Sequence, residues 1–196
     1  MARVKRRAYL DWTYWGKPCP SFGDPQARVL LVGLAPGAHG SNRTGRMFTG
    51  DRSGDILYDA LYQTGFASQP TASSRDDGLE LRDCYITAAV RCAPPDNKPT
   101  PEETKSCSRF LERELELLRK LRVVVALGKF GFDAYLKLRP IKGAKFGHGA
   151  LAQSSNGPTL LACYHPSQQN TFTGKLTLAM LVEIFRRARA LADVIN

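Results

Sequence analysis

The stretch from Val29 to Asp55 constrains the fold more than any other part of the chain. Val29-Leu30-Leu31-Val32-Gly33 is a short continuous apolar run, the pattern of a strand buried on both faces. A long polar loop follows to Gly50, with glycines at 33, 37, 40, 45 and 50 and a proline at 36. Glycine permits positive φ and a close approach of backbone to whatever occupies the loop. After Asp51-Arg52-Ser53 the apolar residues return at helical spacing (Leu57, Ala60, Leu61), with Gly65 as the stop. Strand, glycine-rich loop and helix N-terminus in that order make a pocket for an anion or a base. The loop has no Lys-Ser/Thr after its glycines, so it is not a P-loop, and Gly33, Gly37 and Gly40 miss the dinucleotide spacing.

The rest of the chain repeats this unit. Strands are expected at about 27–33, 85–91, 123–127 and 159–164, and helices at about 53–64, 101–121, 130–137 and 177–194. Thr100-Pro101-Glu102-Glu103 is a capping box with proline at the first helical position. Residues 66–82 form a polar connection, and 139–158, rich in Gly, Lys and Pro, form a loop. Residues 1–26, basic and aromatic (Tyr9, Trp12, Tyr14, Trp15) and then turn-rich, are a lead-in packed on a single domain of residues 27–196. Four strand–loop–helix units in series predict an α/β fold, a three-layer α/β/α sandwich with a central four-stranded parallel sheet. In such a sheet the loops at the strand carboxyl ends gather on one edge, where ligands bind. The unusual loops after Gly33, Arg91 and Tyr164 all leave from that edge and predict one composite site.

Lys and Arg number 28 against 18 Asp and Glu, a formal net charge of +10. An excess of this size favours a polyanionic partner, most commonly nucleic acid. Arg43, Arg46, Arg52, Arg91, Lys98 and Lys175 lie in or beside the converging loops, where they would neutralise phosphates and make binding salt-dependent. No 18-residue apolar run or signal-peptide pattern is present, so a cytoplasmic, nucleoid-associated monomer with no membrane partner is expected. The 5 cysteines, at 19, 84, 92, 107 and 163, contain no C-x-x-C pair and argue against a disulfide framework. Phe48 is an apolar ring in a polar loop, either a wall of the pocket or an anchor to the core. Asp51 stands where a helix N-cap is needed and where a carboxylate would face the pocket.

The loop Gly33-Leu34-Ala35-Pro36-Gly37-Ala38-His39-Gly40, continuing through Arg43-Thr44-Gly45-Arg46 to Phe48-Thr49-Gly50-Asp51, closely resembles the first motif of the uracil-DNA glycosylase superfamily, in its family 5 branch. His165-Pro166-Ser167, with Asn170 five residues beyond the histidine, is similar to the second motif. The resemblance spans about residues 20–177 and is weakest in 66–82 and 137–158. It implies a monofunctional glycosylase that flips uracil, and also hypoxanthine and other deaminated bases, out of DNA and removes them in base excision repair. It implies Asp51, His165 and Asn97 as catalytic residues. Gly33, Ala35, Pro36, Gly37, Phe48 and Asn170 would bind the base, with Phe48 stacking on it. Arg43, Arg46, Arg91, Lys98, Ser167 and Lys175 would lie against DNA. Leu34, Ala35 and Ala38 offer no polar group to position water, and Thr87-Ala88-Ala89-Val90 lacks the asparagine by which other branches read uracil. A pocket without that amide discriminates weakly. A family 4 enzyme is disfavoured by Leu34 and Ala88, and a nucleic-acid-binding relative without catalysis is the rival from another class.

Families 4 and 5 carry a [4Fe–4S] cluster on four cysteines. Cys92 and Cys107 match two of them, and the other two form a C-x-x-C preceding the point where this sequence begins. The alternatives are a misplaced start, favoured because Met1-Ala2-Arg3-Val4 begins where a helix of the family would already be under way, or loss of the cluster. Either way its role would be structural.

Overall fold

A computed structural model describes residues 5–194. Its strands are β1 (Phe22–Gly23), β2 (Val29–Gly33), β3 (Cys84–Ala88), β4 (Val123–Leu127), β5 (Leu151–Ala152) and β6 (Thr159–Cys163). Its helices are α1 (Ser41–Thr44), α2 (Arg52–Gln63), α3 (Pro101–Leu117), α4 (Lys129–Leu138), α5 (Gln168–Phe172) and α6 (Leu178–Asp193), with single 3-10 turns at Arg7–Tyr9 and Pro95–Asn97.

Strand side chains alternate between faces, so a strand apolar at every position must be covered on both. In β2 and β4 all five residues are buried. Ile86, Leu31, Val125 and Leu161 lie side by side across β3, β2, β4 and β6. With Leu57 and Leu61 of α2 and Leu181 and Phe185 of α6 they build one core. The alternate residues Leu30, Val32, Val124, Ala126 and Leu160 face the other way, against Leu111 of α3 and Phe132 and Tyr135 of α4. Helices α2 and α6 therefore form one layer, and α3 and α4 the other.

The sequence predicts four strands, and the sheet has six, in the order β1-β3-β2-β4-β6-β5. The four central strands are parallel; β1 and β5 pair antiparallel at the two edges. Two-residue strands are too short to show an alternation, which is why a periodicity argument passes over them. Helix α3 also stops at Leu117, short of the expected 121, because Leu118 leaves the helical region (ψ 72°) and turns into the second core. Its N-terminus is as expected: Thr100 Oγ1 accepts from the Glu103 N–H and Glu103 accepts from the Thr100 N–H. Among the described residues no helix is long and apolar enough to cross a membrane.

Candidate active site

Strand β2 has β3 on one side and β4 on the other, so the chain leaves its carboxyl end towards opposite halves of the sheet. A doubly wound sheet opens its ligand crevice at such a point. The pairing runs on past the strands: the Ala89 N–H donates to Gly33 O (3.0 Å) and the Val90 N–H to Leu34 O (3.0 Å). On the other side the Gly128 N–H donates to Cys163 O (2.7 Å), which carries the chain into Tyr164 and His165. A cavity of about 950 Å³ lies at the opposite pole, lined by Arg119, Lys120, Arg122 and Arg139 near the ends of α3 and α4. Cations there offset the negative ends of helix dipoles. Cavity size therefore does not locate the chemistry; the loops do.

The loop after Gly33 folds into the single turn α1 and then presents Phe48. This residue has φ 53°, a left-handed conformation that a bulky side chain adopts only when its surroundings impose it. The Phe48 N–H donates to Ser41 Oγ (2.9 Å), and the Tyr58 hydroxyl donates to Met47 O (2.7 Å). The phenylalanine ring lies against Gly33, where an added Cβ would meet its Cζ at 3.0 Å. It is tilted 36° to the His165 ring, with centroids 6.0 Å apart. Phe48 is thus anchored in the loop and placed at the strand edge at once.

Asp51 caps α2. Its Oδ1 accepts from the Ser53 N–H (3.0 Å) and the Gly54 N–H (3.1 Å). Its Oδ2 makes neither bond and is directed at the Gly37–Gly40 turn, where a Cβ at Gly37 would come within 2.9 Å and one at Gly40 would overlap it. One carboxylate therefore has one oxygen holding the helix and one facing the loop. Burial pushes its pKa up, against the two backbone N–H groups that pull it down; Asp55 adds to the rise and Arg43 opposes it. A side chain at Gly40 would therefore collide with Asp51 Oδ2. Gly40→Ala is expected to displace Oδ2 and lower base release by about 10²-fold, since shifts of about 1 Å cost that much. Single-turnover assays beside a thermal melt would check it, and a variant with the wild-type rate would show that this oxygen's position is immaterial.

His165 follows β6 and is half-buried. Burial holds its pKa at about 4, so the ring is neutral near pH 7 and carries one N–H for donation. Asn170 Nδ2 donates to His165 O (2.8 Å), and Ser167 Oγ accepts from the Asn170 N–H (3.4 Å) as the N-cap of α5. Asn170 and Ser167 thus fix the turn that carries the histidine. The depressed pKa has a stability consequence. The unfolded chain takes up this proton near the ordinary value of 6.5 and the folded one only near 4, so stability falls as pH drops from 6.5 towards 4. Melting temperatures across that interval are expected to decline less steeply in His165→Gln than in the wild type.

The expected phosphate contacts divide sharply. Arg43, Arg46 and Arg91 are 5%, 4% and 6% exposed, and each is engaged inside the protein. Arg46 forks onto Asp77, with Nη1 to Oδ1 and Nη2 to Oδ2 both at 2.8 Å. Arg91 pairs with Glu114 and donates to Ser21 Oγ and Cys19 O. Arg43 donates to His39 O and Gly50 O. All three guanidinia are committed to partners inside the protein and are not free at its surface. Arg52, Lys98 and Lys175 are exposed, with Lys175 Nζ 4.8 Å from the Tyr164 ring centroid. Asn97 is exposed in the Pro95–Asn97 turn at φ 55°, and among the described residues its side chain bonds to none of Asp51, Phe48 or His165. Gly33, Ala35, Pro36 and Gly37 line the strand edge beside these three. Glu114 and Asp77 went unread in the sequence. Glu114 had a signal, a carboxylate at i+3 from Leu111 and i−4 from Leu118 on the apolar stripe of α3.

Cys92 is exposed and Cys107 half-buried on α3. The Cys92 thiol is pushed up by partial burial, then by Cys107 and Glu103. Among the described residues no group of three or more Cys, His, Asp or Glu side chains is placed to hold a metal. A [4Fe–4S] cluster needs four thiolates, so the described residues do not by themselves fit one.

Comparison with other proteins identifies the family. Residues 20–189 match the family model of the uracil DNA glycosylase superfamily. A type-5 uracil-DNA glycosylase of Mycobacterium leprae is 52% identical across 99% of this chain and 86% of that protein. The type-5 enzyme of Thermus thermophilus is 52% identical across 97% of this chain and 87% of its own length. A type-4 uracil-DNA glycosylase of Thermotoga maritima is more distant, 31% identical across 74% of this chain and 67% of that protein. The chain belongs to the uracil-DNA glycosylase superfamily, within its type-5 branch.

Proposed function

We propose that this chain is a monofunctional DNA glycosylase that hydrolyses the bond between uracil and deoxyribose. The observation that carries the reading is the meeting, at one sheet edge, of a carboxylate with a free oxygen, a neutral histidine and an aromatic ring. Extracting a base from the stack costs a few kcal/mol, and a ring such as Phe48 recovers part of it by stacking. As the C1′–N bond breaks, its electron pair leaves with the base and positive charge grows on the sugar. The neutral His165 ring donates its N–H to a base carbonyl as negative charge develops there. Asp51 Oδ2 stabilises the sugar and orients the water that attacks C1′, and its raised pKa suits it to take the water's proton. No lysine falls within the two matched motifs, residues 33–51 and 165–170, to form a Schiff base, so water is the nucleophile.

The pocket has little with which to select uracil. Leu34, Ala88 and Ala89 are apolar, and Thr87 Oγ1 is occupied by Ser21 and Glu114. Hypoxanthine and other deaminated bases are therefore substrates in this reading. Exposed Arg52, Lys98 and Lys175 supply the phosphate contacts, Asn97 acts from the rim, and the protein works as a monomer on duplex DNA. Base release from duplexes carrying uracil or hypoxanthine, read as strand scission after alkali, tests the reading. Release from both supports it. A folded, DNA-binding sample that releases neither would overturn it in favour of a binding-only relative.

A further inference from the structure

Residues 7–16 have no core of their own; the Arg7–Tyr9 turn contains no buried residue. They are held instead by the loop, and foremost by one of its side chains. The Arg43 guanidinium carbon lies 4.1 Å from the ring centroid of Tyr9 and 4.1 Å from that of Trp12. The two rings meet edge to face, 6.3 Å apart at 81°. The guanidinium therefore sits in the corner made by two nearly perpendicular rings, contacts that an ammonium does not reproduce. The donors of the same guanidinium point the other way. Nε donates to His39 O (2.7 Å) and Nη2 to Gly50 O (2.8 Å). His39 precedes Gly40 and Gly50 precedes Asp51, the two residues whose contact directs Oδ2. Three further bonds tie the same pieces together. The Trp15 N–H donates to Arg43 O (3.0 Å), the Gly16 N–H donates to Asn42 O (3.1 Å), and the Tyr14 hydroxyl pairs with His39 Nδ1 (2.9 Å). The Trp15 ring lies on Gly45, where a Cβ would come within 2.9 Å of its Cδ2.

We infer that residues 7–16 are a strap completing the active site, and that Arg43, clamped between Tyr9 and Trp12, is a positioning residue holding Asp51 in its working place. Two rings pack on the guanidinium and two of its donors are spent on the loop, so it acts on the chemistry through Gly50 and His39. The inference rests on the glycosylase reading for its rate effect and on the structure alone for its effect on the loop. Misplacing a reacting group by about 1 Å lowers rate far more than it lowers binding.

The double variant Tyr9→Ala/Trp12→Ala removes the clamp without touching the core, since Trp12 is 41% exposed and Tyr9 belongs to neither core cluster. Its single-turnover rate of uracil release is expected to fall by about 10–100-fold with duplex affinity unchanged. Amide hydrogen exchange across residues 40–54 is expected to quicken in the same variant. Trp12→Phe, which keeps an aromatic face, should retain most of the rate, and Arg43→Lys should not. A double variant with wild-type rate and wild-type exchange overturns the inference, as does one that loses duplex affinity at an unchanged rate. A wild-type protein that releases no base would defeat the glycosylase reading instead. In that event faster exchange of residues 40–54 in the double variant still upholds the strap, and unchanged exchange overturns it.

Discussion

Asp51→Asn will release uracil about 10²–10⁴-fold more slowly than the wild type while melting at the same temperature or slightly above it. The two halves of this expectation come from the two oxygens. Asparagine offers one oxygen to the Ser53 and Gly54 N–H groups, and it is as good an N-cap as aspartate. It offers no second oxygen to the Gly37–Gly40 turn and carries no charge. Because burial raises the Asp51 pKa in the folded state, the ionised carboxylate costs stability as pH rises above its ordinary value of 3.8. At neutral pH the uncharged amide is relieved of that cost. Asp51→Ala loses the cap as well, about 1 kcal/mol, and for a chain of this size that is a drop of about 2–4 °C. If Asp51→Asn kept its rate within a factor of a few, the carboxylate would have no part in the chemistry.

The largest stability effect will come from a residue far from the reaction. Asp77 anchors the connection between α2 and β3, accepting from the Ser73, Ser74 and Leu79 N–H groups as well as from both terminal nitrogens of Arg46. The side chains of the pair are 4% and 11% exposed. Asp77→Ala strands a buried guanidinium, a loss of about 3–5 kcal/mol in denaturant unfolding. Restoring an apolar pair, as in Arg46→Met/Asp77→Leu, should recover much of it. The same pair has a signature in acid. Burial alone would raise the Asp77 carboxyl, but Arg46 and the three N–H groups outweigh it and hold the pKa at about 2, against an ordinary 3.8. Its contribution is therefore complete above about pH 4 and fades as pH falls through 2, in the wild type and not in Asp77→Ala. A loss below about 1 kcal/mol would show that water reaches Arg46 in the folded protein.

What the sequence made legible was local. Five apolar residues between Leu121-Arg122 and Gly128 mark β4 to the residue, and Thr100 with Glu103 marks the start of α3, because strand burial and helix capping are decided within a few positions. Asp51 was legible as the N-cap of α2 for the same reason. Arg46 was not. Its partner lies 31 residues away in a stretch that reads as a plain polar connection, and a count of positive charge cannot separate a buried cation from a solvated one. Arg43 was opaque for the same cause, with its two rings more than 30 residues upstream. Asn97 shows the converse: matched by motif, it stands exposed on a turn whose left-handed backbone no pattern of side chains announced.

The two-residue edge strands bear on a different question, how such a protein stays dispersed. β2 and β4 are five-residue apolar segments of the kind that stack into intermolecular sheets when their backbone is open to another chain. Here they are the two innermost strands, and beyond their neighbours the sheet ends in β1 and β5, each only two residues long. An incoming strand meeting β1 or β5 would find a template of two residues. At the β1 margin Pro20 and Pro25 stand close by as residues that cannot continue a ladder. The aggregation-prone part of the chain is thereby kept from self-association by its margins, so lengthening or unpairing β1 should lower solubility before it lowers stability.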